Sequence, residues 1–136
     1  MEEEKRKQEV VYPELSYKIV GSAYEVYNSL GKGFPEKYYQ KALAIEFKSR
    51  SIEFKEQVYY PLTFKEELVG KSYFDFLVED KIIVEIKQGN HFSKGHFEQI
   101  LRYLKVSNLK LGLLINFSSE GVQVKRILIS INSLVC

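Results

Sequence analysis

The sequence predicts a three-layer α/β/α protein, with a central mixed sheet covered by helices on both faces and its elements in the order ααβββαββ. Three observations carry this. Apolar residues recur at helical spacing through the first fifty positions and again from Lys94 to Ser107. Between these stretches the apolar period drops to two, the mark of half-buried strands. LGLLINF (Leu111–Phe117) is then a continuous apolar run, of the kind found in a strand covered on both sides. A sheet with an apolar surface on each face requires helices on each face. At 136 residues the chain suffices for one domain with a single sizeable core.

The elements follow in order. Residues 1–12 read as a charged leader, and 13–136 as one domain. From Glu14 to Leu30, the stripe Leu15, Ile19, Ala23, Val26 and Leu30 predicts an amphipathic helix stopped by Gly31 and Gly33. Pro35 suits a first helical position, and a second helix is expected to run to about Arg50, burying Tyr39, Ala42, Leu43 and Phe47. Ile52, Phe54, Val58 and Tyr60 alternate with polar residues, a half-buried strand that Pro61 is expected to interrupt or end. Glu66 to Gly70 reads as a turn, followed by strands at Ser72–Val78 and Ile82–Lys87 and a loop from Gln88 to Ser93. The Lys94–Ser107 helix presents Phe97, Ile100, Leu101 and Leu104 on its apolar face. After Leu111–Phe117, Ser118 to Gly121 turns the chain into a last strand, Val122 to Ile131.

Composition narrows the setting. Hydrophobic residues make up 45% and charged residues 28%, as in ordinary globular domains. The net charge of +2 is too small to argue for nucleic acid by itself. The one cysteine, Cys136, excludes an intrachain disulfide and fits a reducing compartment. MEEEKRKQEV is acidic at its start and has no apolar h-region, and no apolar run is long enough to cross a bilayer. The expectation is a cytoplasmic protein with no membrane partner. A Gly-rich phosphate loop, a zinc-type Cys/His set and a nucleophile elbow are all missing from the sequence.

The chemistry concentrates in DFLVEDKIIVEIKQG (Asp75–Gly89). Along Ile82–Lys87, Ile83, Glu85 and Lys87 share one face of the strand. If Glu79-Asp80-Lys81 form a three-residue loop, Val78 pairs with Ile82 and Asp75 falls opposite Glu85. A two-residue loop would turn Asp75 to the other face. Directly opposed carboxylates repel each other, and a divalent cation between them removes the penalty. Oxygen ligands with open positions suit Mg²⁺ or Mn²⁺. The plain alternative is a solvated Asp75 and a surface Glu85–Lys87 pair, but IIVEIK is too apolar for an exposed edge.

Asp75 followed by Glu85-x-Lys87 at a strand end resembles the PD-(D/E)xK nuclease signature, with Phe74 where that signature usually has proline. Gly33-x-x-Glu36-x-x-Tyr39 resembles the pattern of the GxxExxY family of that superfamily, and Gln99-x-x-x-Tyr103 the QxxxY element of RecB-type nucleases. LKLGLLINF is similar to the strand that follows the helix in the family. The resemblance implies a restriction-endonuclease-like fold and a metal-dependent nuclease acting on nucleic acid, most often DNA. It implies Asp75 and Glu85 as ligands of Mg²⁺ or Mn²⁺, with the Ile86 carbonyl as a third. Glu36 would approach the same site, and Lys87 would position the attacking water and offset charge on the phosphate. Gln99 and Tyr103 would orient Lys87 or touch the nucleic-acid backbone, and His96 matches a family histidine. His91 lacks so clear a counterpart. Lys37, Lys41, Lys94, Arg102 and Lys105 are the cations able to line a groove. By analogy within the superfamily, a partner subunit, such as a second copy in a homodimer, would help to engage both strands of a duplex; the sequence leaves the oligomeric state open. The rival expectation is a nuclease-like fold used as a binding or assembly module, since fold alone does not establish function.

Overall fold

The computed structural model describes residues 11–90 and 94–129. Two helices open the chain, α1 (Pro13–Leu30) and α2 (Glu36–Ser49). Strands β1 (Phe54–Phe64), β2 (Glu67–Val78) and β3 (Ile82–Gln88) follow, then α3 (Lys94–Ser107), β4 (Leu111–Ser118) and β5 (Gly121–Leu128). The expected order is borne out. His91, Cys136 and the leader through Val10 lie outside the described residues, as does the end of the last expected strand.

The sheet runs β1-β2-β3-β4-β5, antiparallel throughout except for the parallel pair β3–β4, which α3 connects. One apolar layer joins α1 and α2 to the sheet through Ile19, Ala23, Tyr39, Leu43, Phe47, Phe76, Val84, Ile86, Leu113 and Ile115. The other seats α3 on the opposite face through Ile100, Leu104, Phe74, Ile83, Leu114 and Ile127. Strand β4 is buried at every position, as its uninterrupted apolar run requires. The third helix packs tightly over Gly112, where an added Cβ would sit 2.5 Å from the Ile100 Cγ2.

Two boundaries differ from expectation. Pro61 does not end β1, which continues to Phe64. The strand lies at the sheet edge, where a missing N–H costs no ladder bond. Nor is Glu66–Gly70 a turn: only Lys65 and Glu66 make it, both at positive φ (49° and 68°), and Gly70 lies inside β2. Two consecutive left-handed residues match the twist of a tight hairpin. In α1, Leu30 is exposed while Ser16 and Ser22 are buried, and in α2 Ala44 is buried in preference to Ala42. Pro35 caps α2 from outside its first turn.

The β1–β2 ladder is interrupted once in its inner half, where Gln57 adopts φ 51° opposite Asp75. Before this point Phe54, Phe76 and Val78 join the α1/α2 layer. After it Val58, Tyr60 and Phe74 join the α3 layer. The pair of strands therefore turns over at Gln57 and Asp75. The β2–β3 ladder stops at the same place, with Phe76–Val84 as its last pair. Asp75 thus stands where β2 leaves the sheet.

Candidate active site

The three-residue loop is as expected: Val78 pairs with Ile82, and Lys81 N–H donates to Val78 O at 2.9 Å. Continuing that register sets Asp75 opposite Glu85. Instead of ladder bonds, their side chains span the opening. Asp75 N–H donates to Glu85 Oε1 at 3.0 Å, and Ile86 N–H donates to Asp75 Oδ2 at 2.7 Å. Glu85 is only 7% exposed, which is rare for a carboxylate without a counter-ion. Burial raises its pKa from 4.5 to about 9, helped by a hydrogen bond with the Asp75 carboxyl and by that group's charge; nearby Lys87 works in the other direction. Burial thus favours a protonated Glu85 at a place where two opposed carboxyls would also accept a cation.

The other expected residues converge on Lys87 from both faces. Glu36, at the start of α2, has its pKa raised by desolvation, with Lys87 lowering it and Asp75 adding to the rise. Glu36 is exposed as a residue, so this places its carboxyl at the rim. His96, half-buried on α3, has its pKa lowered by burial and then by the Lys87 charge. The Lys87 charge is thus felt on both helical layers, by Glu36 of α2 and by His96 of α3, as well as by Glu85 on its own strand.

Tyr103 goes elsewhere. Its ring packs 4.7 Å from Phe74 and edge-on 5.2 Å from Tyr60, and its charged neighbour is Lys55. Gln99 is half-buried one turn earlier on α3. Among the suggested groove cations, Lys37 and Lys41 line a groove of about 470 Å³ between α2 and β1 with Gln40, Ala44, Ile45, Lys48 and Glu56. A larger groove, about 610 Å³, continues from Lys48 and Glu56 to Glu79 and Asp80. Neither includes Asp75, Glu85 or Lys87. Lys94 lies 3.9 Å from Glu98, and Arg102 and Lys105 are exposed on α3.

Local structure explains why Glu36 stands where it does. Tyr39 is fully buried, its hydroxyl donating to Gly31 O at 2.6 Å and accepting from Phe34 N–H at 3.3 Å. Its ring stacks on Phe117 at 4.3 Å and 4°. Gly33, at φ 91°, supplies a backbone conformation that side chains disfavour. The Gly33, Glu36 and Tyr39 spacing is thus a turn, a reaching carboxyl and the clamp that fixes them.

Two residues escaped the sequence reading. Asn116, the lone polar residue in LGLLINF, is fully buried and pairs with Lys87 in the β3–β4 register. Its amide donates to Gly89 O at 2.7 Å and Gln123 Oε1 at 3.1 Å, while Oδ1 has no partner among the described residues. A polar residue inside an apolar run was the available signal. Gln57 had none, because its importance lies in φ.

Among the described residues, no three His, Cys, Asp or Glu side chains are gathered as a ready metal cage. The Asp75–Glu85 pair alone fits a hard ion that keeps several waters. Among the described residues, no helix is long and apolar enough to cross a membrane.

Comparison with known proteins agrees with this fold. No curated protein matches the chain. A solved structure titled "Crystal structure of SSO0001" is similar at a TM-score of 0.51 and 18% identity, over 73% of this chain. This chain spans 53% of that one, and the likeness extends to the restriction-endonuclease-like fold. Residues 13–127 match the family model described as the PD-(D/E)XK nuclease superfamily. The chain belongs to that superfamily.

Proposed function

We propose that the protein is a metal-dependent nuclease that hydrolyses phosphodiester bonds, most naturally in DNA, and that it falls in the GxxExxY branch with Gln99 and Tyr103 as its QxxxY element. The observation that carries this is the half-buried Asp75 bonded across to the buried Glu85, with Lys87 on the strand face of Glu85. Burying such charge contributes little to stability and needs another reason. Asp75 and Glu85 would hold Mg²⁺ or Mn²⁺, with the Ile86 carbonyl beside them. When bound, the ion supplies Lewis-acid polarisation of the phosphate and acidifies a water.

The chain's own groups do the rest. Lys87 offsets the charge that grows on the phosphate oxygens as water attacks phosphorus and the P–O bond to the leaving strand breaks. Glu36 accepts a hydrogen bond from the water and holds it in line. His96, whose pKa is lowered by burial and by the Lys87 charge, would donate a hydrogen bond to a phosphate oxygen. Asn116 fixes the end of β3 so that Lys87 keeps its aim. Lys37 and Lys41 attract the nucleic-acid backbone beside the site. The setting proposed is the cytoplasm.

One observation favours a second reading. The lack of a three-ligand cage among the described residues suits a nuclease-like binding or assembly module. Cleavage assays on single- and double-stranded DNA with Mg²⁺ separate the two. The nuclease reading expects cleavage that EDTA stops and that Lys87→Ala lowers by about 100-fold or more. Equal cutting by the wild type and Lys87→Ala would reject it.

A further inference from the structure

We infer that the nuclease engages its substrate as an unpaired strand, stacking bases on the exposed pair Tyr59 and Tyr73, one step along β2 from Asp75; this rests on the proposed function. The two tyrosines are direct cross-strand partners, with ring centroids 5.4 Å apart. They are 46% and 50% exposed, a large apolar area for a soluble strand to leave open. Tyr73 lies two residues from Asp75, just past the point where the strands turn over. Because Phe74 and Val58 face α3, alternation turns Tyr73 and Tyr59 to the other side, the side of α2 and Glu36. Lys71 follows on that face, opposite Pro61, and the face carries no carboxylate between Asp75 and the hairpin tip.

A second exposed aromatic pair occurs at the start of α2. Phe34 and Tyr38 flank Glu36 in the chain, with rings 6.2 Å apart, and the Lys37 Nζ lies 5.6 Å from the Tyr38 ring. Lys37 also begins the groove that continues to Lys41 and Lys48. Aromatic faces alternating with lysines match what an unpaired strand presents, since its bases are free to stack while its phosphates require cations. A duplex keeps its base faces inside and could use only the lysines. A protein partner would use the rings but has no need of the lysine stripe.

The test is fluorescence anisotropy in EDTA, with a labelled oligothymidylate and a duplex of equal length. The wild type is expected to bind the single strand at least tenfold more tightly. Tyr59→Ala and Tyr73→Ala are each expected to weaken that binding by about 5- to 100-fold, while Tyr59→Phe and Tyr73→Phe retain it. Thermal melting of the alanine variants checks that they fold; if they do not, the phenylalanine pair and the strand preference of the wild type decide. Equal or tighter duplex binding would overturn the inference, as would folded alanine variants that bind like the wild type. So would a dimer in sedimentation that Tyr59→Ala dissociates, which would assign the face to a second copy. Metal-dependent cleavage is measured in parallel. Cleavage without strand preference sinks this inference alone, whereas tyrosine-dependent strand binding without cleavage sinks the nuclease reading alone.

Discussion

Asp75 and Glu85 hold each other's strands through their side chains: the Asp75 N–H donates to Glu85 Oε1 at 3.0 Å, and the Ile86 N–H beside Glu85 donates to Asp75 Oδ2 at 2.7 Å. Each carboxyl therefore commits one oxygen to the backbone of the other's strand. A proton on Glu85 relieves the repulsion between them in the absence of a cation, and a divalent ion would replace the proton.

This relationship sets a pH dependence. A carboxyl whose pKa is raised binds its proton more tightly folded than unfolded. The stabilisation from protonated Glu85 is complete below its unfolded value near 4.5 and is lost as pH climbs through about 9. In EDTA, the stability of the wild type is expected to fall across that window, and Glu85→Gln is expected to flatten the fall. Urea denaturation at a series of pH values measures it; an unchanged slope in Glu85→Gln would place the titration elsewhere.

A cation has the opposite pH dependence, because it must displace the proton. Mg²⁺ or Mn²⁺ is expected to raise the melting temperature more at pH 8 than at pH 6. At a concentration about 100 times the dissociation constant, the gain is about 2.7 kcal/mol. Asp75→Asn is expected to abolish it. Differential scanning calorimetry with and without the ion reads both effects.

Much of this site was legible in the sequence, and the reasons differ by residue. The loop Glu79-Asp80-Lys81 determined which face Asp75 would take, because strand alternation leaves only two choices. Glu36 was legible through the spacing from Gly33 to Tyr39, although the role of Tyr39 as a clamp appears only once Phe117 stacks on it. The packing of Tyr103 was not legible because helix periodicity gives a face but not the neighbour across it; its ring lies against Tyr60 and Phe74. Pro61 was read as a strand end because its tolerance depends on β1 being an edge, which is a property of the whole sheet.

Tyr39→Phe tests the clamp. It leaves the stack on Phe117 and removes the bonds to Gly31 O and Phe34 N–H. A loss of about 1 kcal/mol in urea denaturation is expected. Nuclease activity is expected to fall by more than that stability loss explains, since the start of α2 carries Glu36. Full activity in Tyr39→Phe would separate the clamp from the site.

The seat of α3 gives a prediction independent of chemistry. Gly112→Ala would drive a Cβ against the Ile100 Cγ2 and is expected to cost about 1–3 kcal/mol. Adding Ile100→Ala removes the Cγ2 methyl at the contact, so the double variant is expected to lose less than the sum of the singles. Chemical denaturation of the four proteins closes the cycle, and strict additivity would contradict the packing.

The carboxylate pair is tested most directly by a crystal structure of the protein grown with Mn²⁺, using anomalous scattering to locate the ion. One peak between Asp75 and Glu85, at about 2.0–2.3 Å from an oxygen of each, is the expected result. A peak bound elsewhere, or no ion between the two side chains at saturating Mn²⁺, would contradict the account.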